Sequence, residues 1–215
     1  MSDLNMLFGI PFYKTKIDES QYNKKEILDN IEKNYNLDPH RNNWQVNTLY
    51  TDSDLHHMYN DKNNNNFIQV DVSQLTNLYN EKIIDFFDNF MQEKYEFTWN
   101  LVNYTCMKKN QFMNKHSHPN YDFVGIHYIK FNEQHSPTVY YNPAIWIDYK
   151  DFLPFFTLVN KTHNQLINSY LHKAIESSVM ENDFVITPGM LSHSVPKSQI
   201  DDLRVTIVIH INIKR

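Results

Sequence analysis

The chain has 215 residues, 41% hydrophobic and 21% charged, with 14 Tyr, 14 Phe and 3 Trp, which is too much apolar surface for global disorder. Its net charge of −5 gives no general electrostatic footprint for nucleic acid or an anionic membrane. The single cysteine, Cys106, excludes an internal disulfide and a thiolate zinc cluster, and no apolar run approaches the roughly 20 residues of a membrane span. With no leader-like pattern at Met1, the expectation is a cytoplasmic protein folded as a single domain over 1–215. Residues 1–94 would supply an N-terminal strand and supporting helices, and 95–215 a β-rich core.

Residues 6–17 mix β-formers with Gly9 and Pro11, the texture of an edge strand. From Ser20 onward Tyr22, Ile27, Leu28, Ile31 and Tyr35 recur at three- and four-residue steps, which predicts an amphipathic helix. Residues 61–66 (DKNNNN) hold only turn-formers and read as a surface loop, with His56 and His57 exposed beside it. Ser73 then caps a second helix whose Leu75, Leu78, Tyr79, Ile83, Phe86, Phe87 and Phe90 form one wide apolar stripe.

After Lys94 short β-rich runs at 95–107, 123–131, 138–141, 183–187 and 204–213 predict a barrel or jelly roll. In the last run Val205, Ile207, Ile209, Ile211 and Ile213 share one face, while Arg204, Thr206, Val208, His210 and Asn212 share the other. One face is greasy; the other can line a polar cavity. Residues 161–178 carry a helical spacing through Leu166, Ile167, Tyr170, Leu171, Ala174 and Ile175.

Three of the 11 histidines stand where a metal site wants them: His116 and His118 in NKHSHPN, and His193 in TPGMLSHSV. Two imidazoles one residue apart at a strand end, joined by a third from a distant strand, would make one triangular face of an octahedron and leave three positions open. A bare HxH is more often an ordinary surface pair, but Pro188-Gly189 before His193 and Arg204 at the head of the cleanest strand add context. An arginine held inside a barrel needs an anionic partner to offset its desolvation, whereas on the surface it needs only a salt bridge.

These segments resemble the Fe(II)- and 2-oxoglutarate-dependent dioxygenases, particularly the prolyl-hydroxylase-like branch and the small oxygenases encoded by phages of marine cyanobacteria. The resemblance covers about residues 99–213, through NKHSHPNYDFVGIHYIKF, ITPGMLSHSV and LRVTIVIHI. It implies a double-stranded β-helix with flanking helices, Fe(II) bound by His116 and His193, and the distal carboxylate of 2-oxoglutarate held by Arg204 with Tyr128 and Thr206. It further implies dioxygen as a partner, succinate and carbon dioxide as products, and hydroxylation of an aliphatic C–H in a peptide side chain or small metabolite. The chain departs from the family's HxD motif: His118 stands where the aspartate is expected. His118 is the favoured third ligand, and Asp122, four residues on, is the alternative or else a hydrogen-bond partner of an imidazole.

Cupins share the jelly roll and carry an HxH, a following carboxylate and a later histidine after a Pro-Gly turn, so His116, His118, Asp122 and His193 would fit them too. What they do not require is Arg204 with Thr206 on the cavity face. A metal-binding jelly roll without turnover is the non-enzymatic alternative. Tyr104 and Thr105, in the strand before the HxH, are candidates to reach the co-substrate. His127 would face away from Tyr128 into the barrel wall, His210 would share the polar face with Arg204, and Cys106 would be a buried small residue. Residues 19–67 and 142–180 lie outside the motifs and are expected to form lids or substrate platforms.

Overall fold

A computed structural model describes residues 3–7, 9–39, 50–52, 68–90, 94–144 and 172–214. The loop expected at 61–66, with His56 and His57, lies outside these residues. Among the described residues the chain runs through β1 (Asp3–Leu7), β2 (Ile10–Lys16), a 3-10 turn (Glu19–Gln21), α1 (Lys24–Leu37), β3 (Tyr50–Asp52) and α2 (Ser73–Phe90). It continues through β4 (Phe97–Met107), β5 (Met113–His116), β6 (Phe123–Lys130), β7 (Val139–Tyr141), β8 (Ala174–Glu176), β9 (Asp183–Pro188), β10 (His193–Val195) and β11 (Arg204–Ile213).

The strands pair antiparallel in a larger sheet, ordered β1-β2-β9-β6-β11-β4-β3, and a smaller one, ordered β5-β10-β7-β8. From β4 onward the chain winds between them, β4, β6, β9 and β11 entering the larger sheet and β5, β7, β8 and β10 the smaller. This is the expected jelly roll, mainly β with flanking helices.

The alternation of β11 decides which face meets which layer. Val205, Ile207, Ile209 and Ile211 pack with Leu75, Tyr79, Ile83 and Phe86 of α2 and Ile27 and Ile31 of α1 in one buried cluster. Each such side chain, fully buried, contributes about 1.5–3 kcal/mol, so this face fixes the helices on the sheet. On the opposite face Val208 joins Val124, Ile126, Tyr128, Tyr140 and Leu191 in a second cluster between the sheets. The β11–β4 register slips between Val208, opposite Asn103, and Ile209, opposite Leu101. That bulge re-phases β4, leaving Asn103, Thr105 and Met107 on the inner side while Phe97, Trp99 and Leu101 join Tyr104 and Cys106 in the helix-side cluster. In β6 a Cβ at Gly125 would lie 2.6 Å from Cγ1 of Ile209 and 2.8 Å from Phe184 Cζ, so the absence of a side chain lets β9 and β11 close over it.

Four local expectations change. Residues 6–17 are two strands of a hairpin, because Gly9, at φ 76°, turns the chain; β2 is internal, pairing with both β1 and β9. α1 starts at Lys24 after the 3-10 turn, where the Asn23 side chain accepts from the Glu26 N–H at 3.2 Å. Ser73 is the first helical residue of α2, and its N–H donates to the Asp71 carboxylate at 2.9 Å. The helix expected over 161–178 fails in its described part, where Ala174–Glu176 forms β8 against β7: backbone pairing overrides the apolar spacing.

Candidate active site

His116 closes β5 and His193 opens β10, and the two are direct cross-strand partners. His118 lies past the end of β5, in a loop held by its own N–H, which donates to the Gly189 carbonyl at 2.7 Å, and by the Gly189 N–H, which donates to the Asp122 carbonyl at 3.0 Å. A Cβ at Gly189 would stand 2.2 Å from the Tyr121 carbonyl oxygen and 2.7 Å from that of His118. Only glycine permits this backbone-to-backbone approach. The contact brings the three imidazoles together, with one ligand atom from each within 4.8 Å of the others and ring centroids 4.4–5.3 Å apart.

The ring protons are arranged for coordination. Nδ1 of His116 donates to the Asn114 carbonyl at 2.8 Å and Nδ1 of His193 to the Leu191 carbonyl at 3.0 Å, which places the lone pair of each ring on Nε2. Nδ1 of His118 lies 2.9 Å from Nε2 of His210. Burial pushes all three pKa values down, His118 to about 3, helped by the neighbouring imidazoles, and His193 to about 4, helped by His116; His116 itself is also lowered by burial. The rings are therefore neutral at neutral pH, the form that binds a metal. Asp122 is placed elsewhere: its carboxylate accepts from the Ile213 N–H at 2.9 Å, at the end of β11.

Arg204 lines the same pocket from the opposite sheet, together with Asn103, Thr105 and Thr206, while Thr138 joins from just before β7. It is 2% exposed, and burial pulls its pKa below the ordinary value. Its Nη2 donates to Oγ1 of Thr138 at 3.3 Å, its Nη1 meets the Met107 sulfur at 3.9 Å, and its Nε has no hydrogen-bond partner among the described residues. The guanidinium carbon sits 5.4 Å from the Tyr128 ring centroid. The Tyr128 hydroxyl also donates to Thr138 Oγ1, at 2.7 Å, so Thr138 accepts twice and keeps its own hydrogen to donate. Thr206 and Thr105 share a 2.5 Å hydroxyl contact. Met113, Ile126, Val195 and Val208 supply apolar walls.

The structure thus brings His116, His118, His193, Arg204 and Thr206 to one pocket, with Tyr128 beneath the arginine. Tyr104 is not among them, because its hydroxyl accepts from the Asn34 side chain on the helix side. Cys106 is buried on that side, as is His127, whose Nδ1 meets the Tyr79 hydroxyl at 2.8 Å. Sequence reasoning missed Asn103, whose buried Oδ1 has no hydrogen-bond partner among the described residues, and Thr138. The alternation Asn103, Thr105, Met107 on β4 was the available signal for the first; Thr138 precedes a three-residue strand and had none.

A family model described as "Putative 2OG-Fe(II) oxygenase" matches residues 102–210, which span every one of these side chains. The chain belongs to this family of 2OG-Fe(II) oxygenases. The cofactor and co-substrate are accordingly Fe(II) and 2-oxoglutarate. The Trichoplax adhaerens prolyl hydroxylase, solved with a hypoxia inducible factor peptide fragment, is 12% identical at a TM-score of 0.54, over 94% of this chain and 83% of that one. A Pseudomonas putida prolyl-4-hydroxylase is 7% identical at a TM-score of 0.50, over 95% and 93%. A Burkholderia pseudomallei structure of the 2OG-Fe(II) oxygenase family is 14% identical at a TM-score of 0.43; the aligned part is 68% of this chain and only 59% of that one. At these identities the likeness concerns the fold. No curated protein matches the chain. No helix among the described residues is long and apolar enough to cross a membrane.

Proposed function

We propose that this oxygenase is a 2-oxoglutarate-dependent hydroxylase in which His116, His118 and His193 hold Fe(II) and Arg204 holds the distal carboxylate of 2-oxoglutarate. The observation that carries the reading is the buried, incompletely satisfied guanidinium of Arg204 in the same pocket as three neutral imidazoles. A dicarboxylate supplies what each end lacks: an anion for Arg204, and oxygen ligands to complete a metal site of three nitrogens. When bound, Fe(II) and 2-oxoglutarate supply the means of activating dioxygen, releasing succinate and carbon dioxide as a substrate C–H is oxidised.

The chain's own residues do the rest. Asn114 and Leu191 carbonyls fix the His116 and His193 rings; Arg204 Nη2 and Tyr128 converge on Thr138, which directs its hydroxyl hydrogen to a carboxylate beside the guanidinium. Thr105 and Thr206 hold each other at the pocket wall, and the apolar side chains exclude water from the reacting centre. A peptide side chain or small metabolite is the proposed substrate class; most of the stretch 142–180 expected to form a platform lies outside the described residues.

Anaerobic addition of Fe(II) and 2-oxoglutarate should give a weak visible charge-transfer band, and admitting air should yield succinate. Saturable iron binding with no band and no calorimetric signal for 2-oxoglutarate would transfer the protein to the cupin-like, non-oxygenase reading.

A further inference from the structure

His210 is a buried polar group beside the pocket that neither the iron nor the 2-oxoglutarate assignment uses. It sits on β11 and is 6% exposed, its ring stacked on Tyr121 with centroids 3.6 Å apart. Its Nε2 faces Nδ1 of His118 at 2.9 Å, and its own Nδ1 has no hydrogen-bond partner among the described residues.

We infer that His210 is a positioning residue that sets the tautomer and the ring orientation of His118; this rests on His118 being a ligand. The other two imidazoles donate Nδ1–H to backbone carbonyls, which can only accept, so their tautomer is fixed. His118 instead faces a group that can donate or accept. When His118 donates through Nδ1–H, its Nε2 lone pair is available to a metal, and His210 carries its proton on the unpartnered Nδ1. When His210 donates through Nε2–H, the proton of His118 sits on Nε2 and blocks coordination. Both arrangements hold the same number of protons. The second buries a bare lone pair at His210 Nδ1, the first a bare N–H, and an orphaned N–H is the rarer and costlier of the two. Metal must therefore draw the pair into the first arrangement, and His210 sets how readily that happens.

Zn(II) serves as a diamagnetic probe, with affinity read by chelator competition and ring protonation by long-range 15N–1H NMR. The Zn(II) protein should show His118 protonated at Nδ1 and His210 unprotonated at Nε2. His210→Leu removes the acceptor and should lower Zn(II) affinity about 10- to 100-fold, the usual effect of losing a group that orients a ligand. His210→Gln retains an amide oxygen and should restore affinity to within about threefold of the parent. Equal loss in the Leu and Gln variants, no loss in either, or a His210 protonated at Nε2 in the Zn(II) protein would each overturn the inference, and the NMR arm needs no variant to fold. If His118→Ala leaves Zn(II) affinity unchanged, the ligand assignment itself fails; if His118→Ala loses binding and His210→Leu does not, only the role of His210 fails.

Discussion

Replacing Arg204 by methionine should make the ligand-free protein more stable and the ligand-loaded protein less so. The guanidinium is 2% exposed, with one 3.3 Å hydrogen bond, one 3.9 Å sulfur contact and an Nε without a partner among the described residues. Exchanging such an incompletely paired buried charge for an apolar side chain of similar length is typically neutral or stabilising by about 1–4 kcal/mol. In a chain of this size each kcal/mol moves the melting temperature by about 2–4 °C. Against that, the lost charged hydrogen bonds to a carboxylate are worth about 1.5–3 kcal/mol, a drop of roughly 10- to 150-fold in 2-oxoglutarate affinity. At a 2-oxoglutarate concentration of about 100 times the parent Kd, ligand stabilises the parent by about 2.7 kcal/mol; a 100-fold weaker variant retains about 0.4 kcal/mol. The variant's ligand-free lead should therefore shrink by about 2.3 kcal/mol when 2-oxoglutarate is added, so that any smaller lead is reversed, with anaerobic Fe(II) present throughout. A less stable Arg204→Met protein that binds 2-oxoglutarate as tightly as the parent would refute the reasoning and make Arg204 a structural residue.

Two further outcomes test the fold around the site. Asp122→Asn should cost about 1–3 kcal/mol of stability in denaturant titrations, because a charged acceptor of the Ile213 N–H is lost, while Fe(II) affinity falls by no more than about 10-fold; abolished iron binding would restore Asp122 as a ligand. Burial lowers the pKa of His127 to about 3 in the native state against an ordinary 6.5, so the unfolded chain takes up a proton that the native one rejects. Stability held above pH 6.5 is thus lost as the pH falls toward 3, by about 1.4 kcal/mol per pH unit. His127→Gln keeps a polar partner for Tyr79 and should flatten the pH dependence of unfolding between pH 6 and 4 by that slope; an unaltered slope would show that His127 does not titrate this way.

The reach of the sequence depended on how local the determining physics was. β11 could be read residue by residue, because a ten-residue strand with one face on helices and the other on a cavity writes strict alternation into Arg204–Ile213. The α2 stripe was equally plain. By contrast β5, β8 and β10 have four, three and three residues, too short for any periodicity, and their existence follows from pairing across the small sheet. The HxH spacing singled out three histidines that converge in the fold, on an incomplete geometric argument: His118 is not on the strand beside His116 but in a loop drawn in by Gly189. The contact with His210 spans 92 residues, and no local pattern announces it.

Glycine is scarce here, three in 215 against 28 asparagines, in a composition that suggests AT-rich coding. Each of the three occupies a place where a side chain is obstructed or strained: Gly9 at positive φ, Gly125 beneath Ile209 and Phe184, and Gly189 against the His118 loop. A nucleotide bias that drains glycine from a protein acts like an unplanned substitution scan, and the positions left standing mark where the fold leaves no room for a methyl group. By that measure Gly189 is held more tightly than Gly125, against the loop that carries His118, where 2.2 Å separates an imagined Cβ from a carbonyl oxygen.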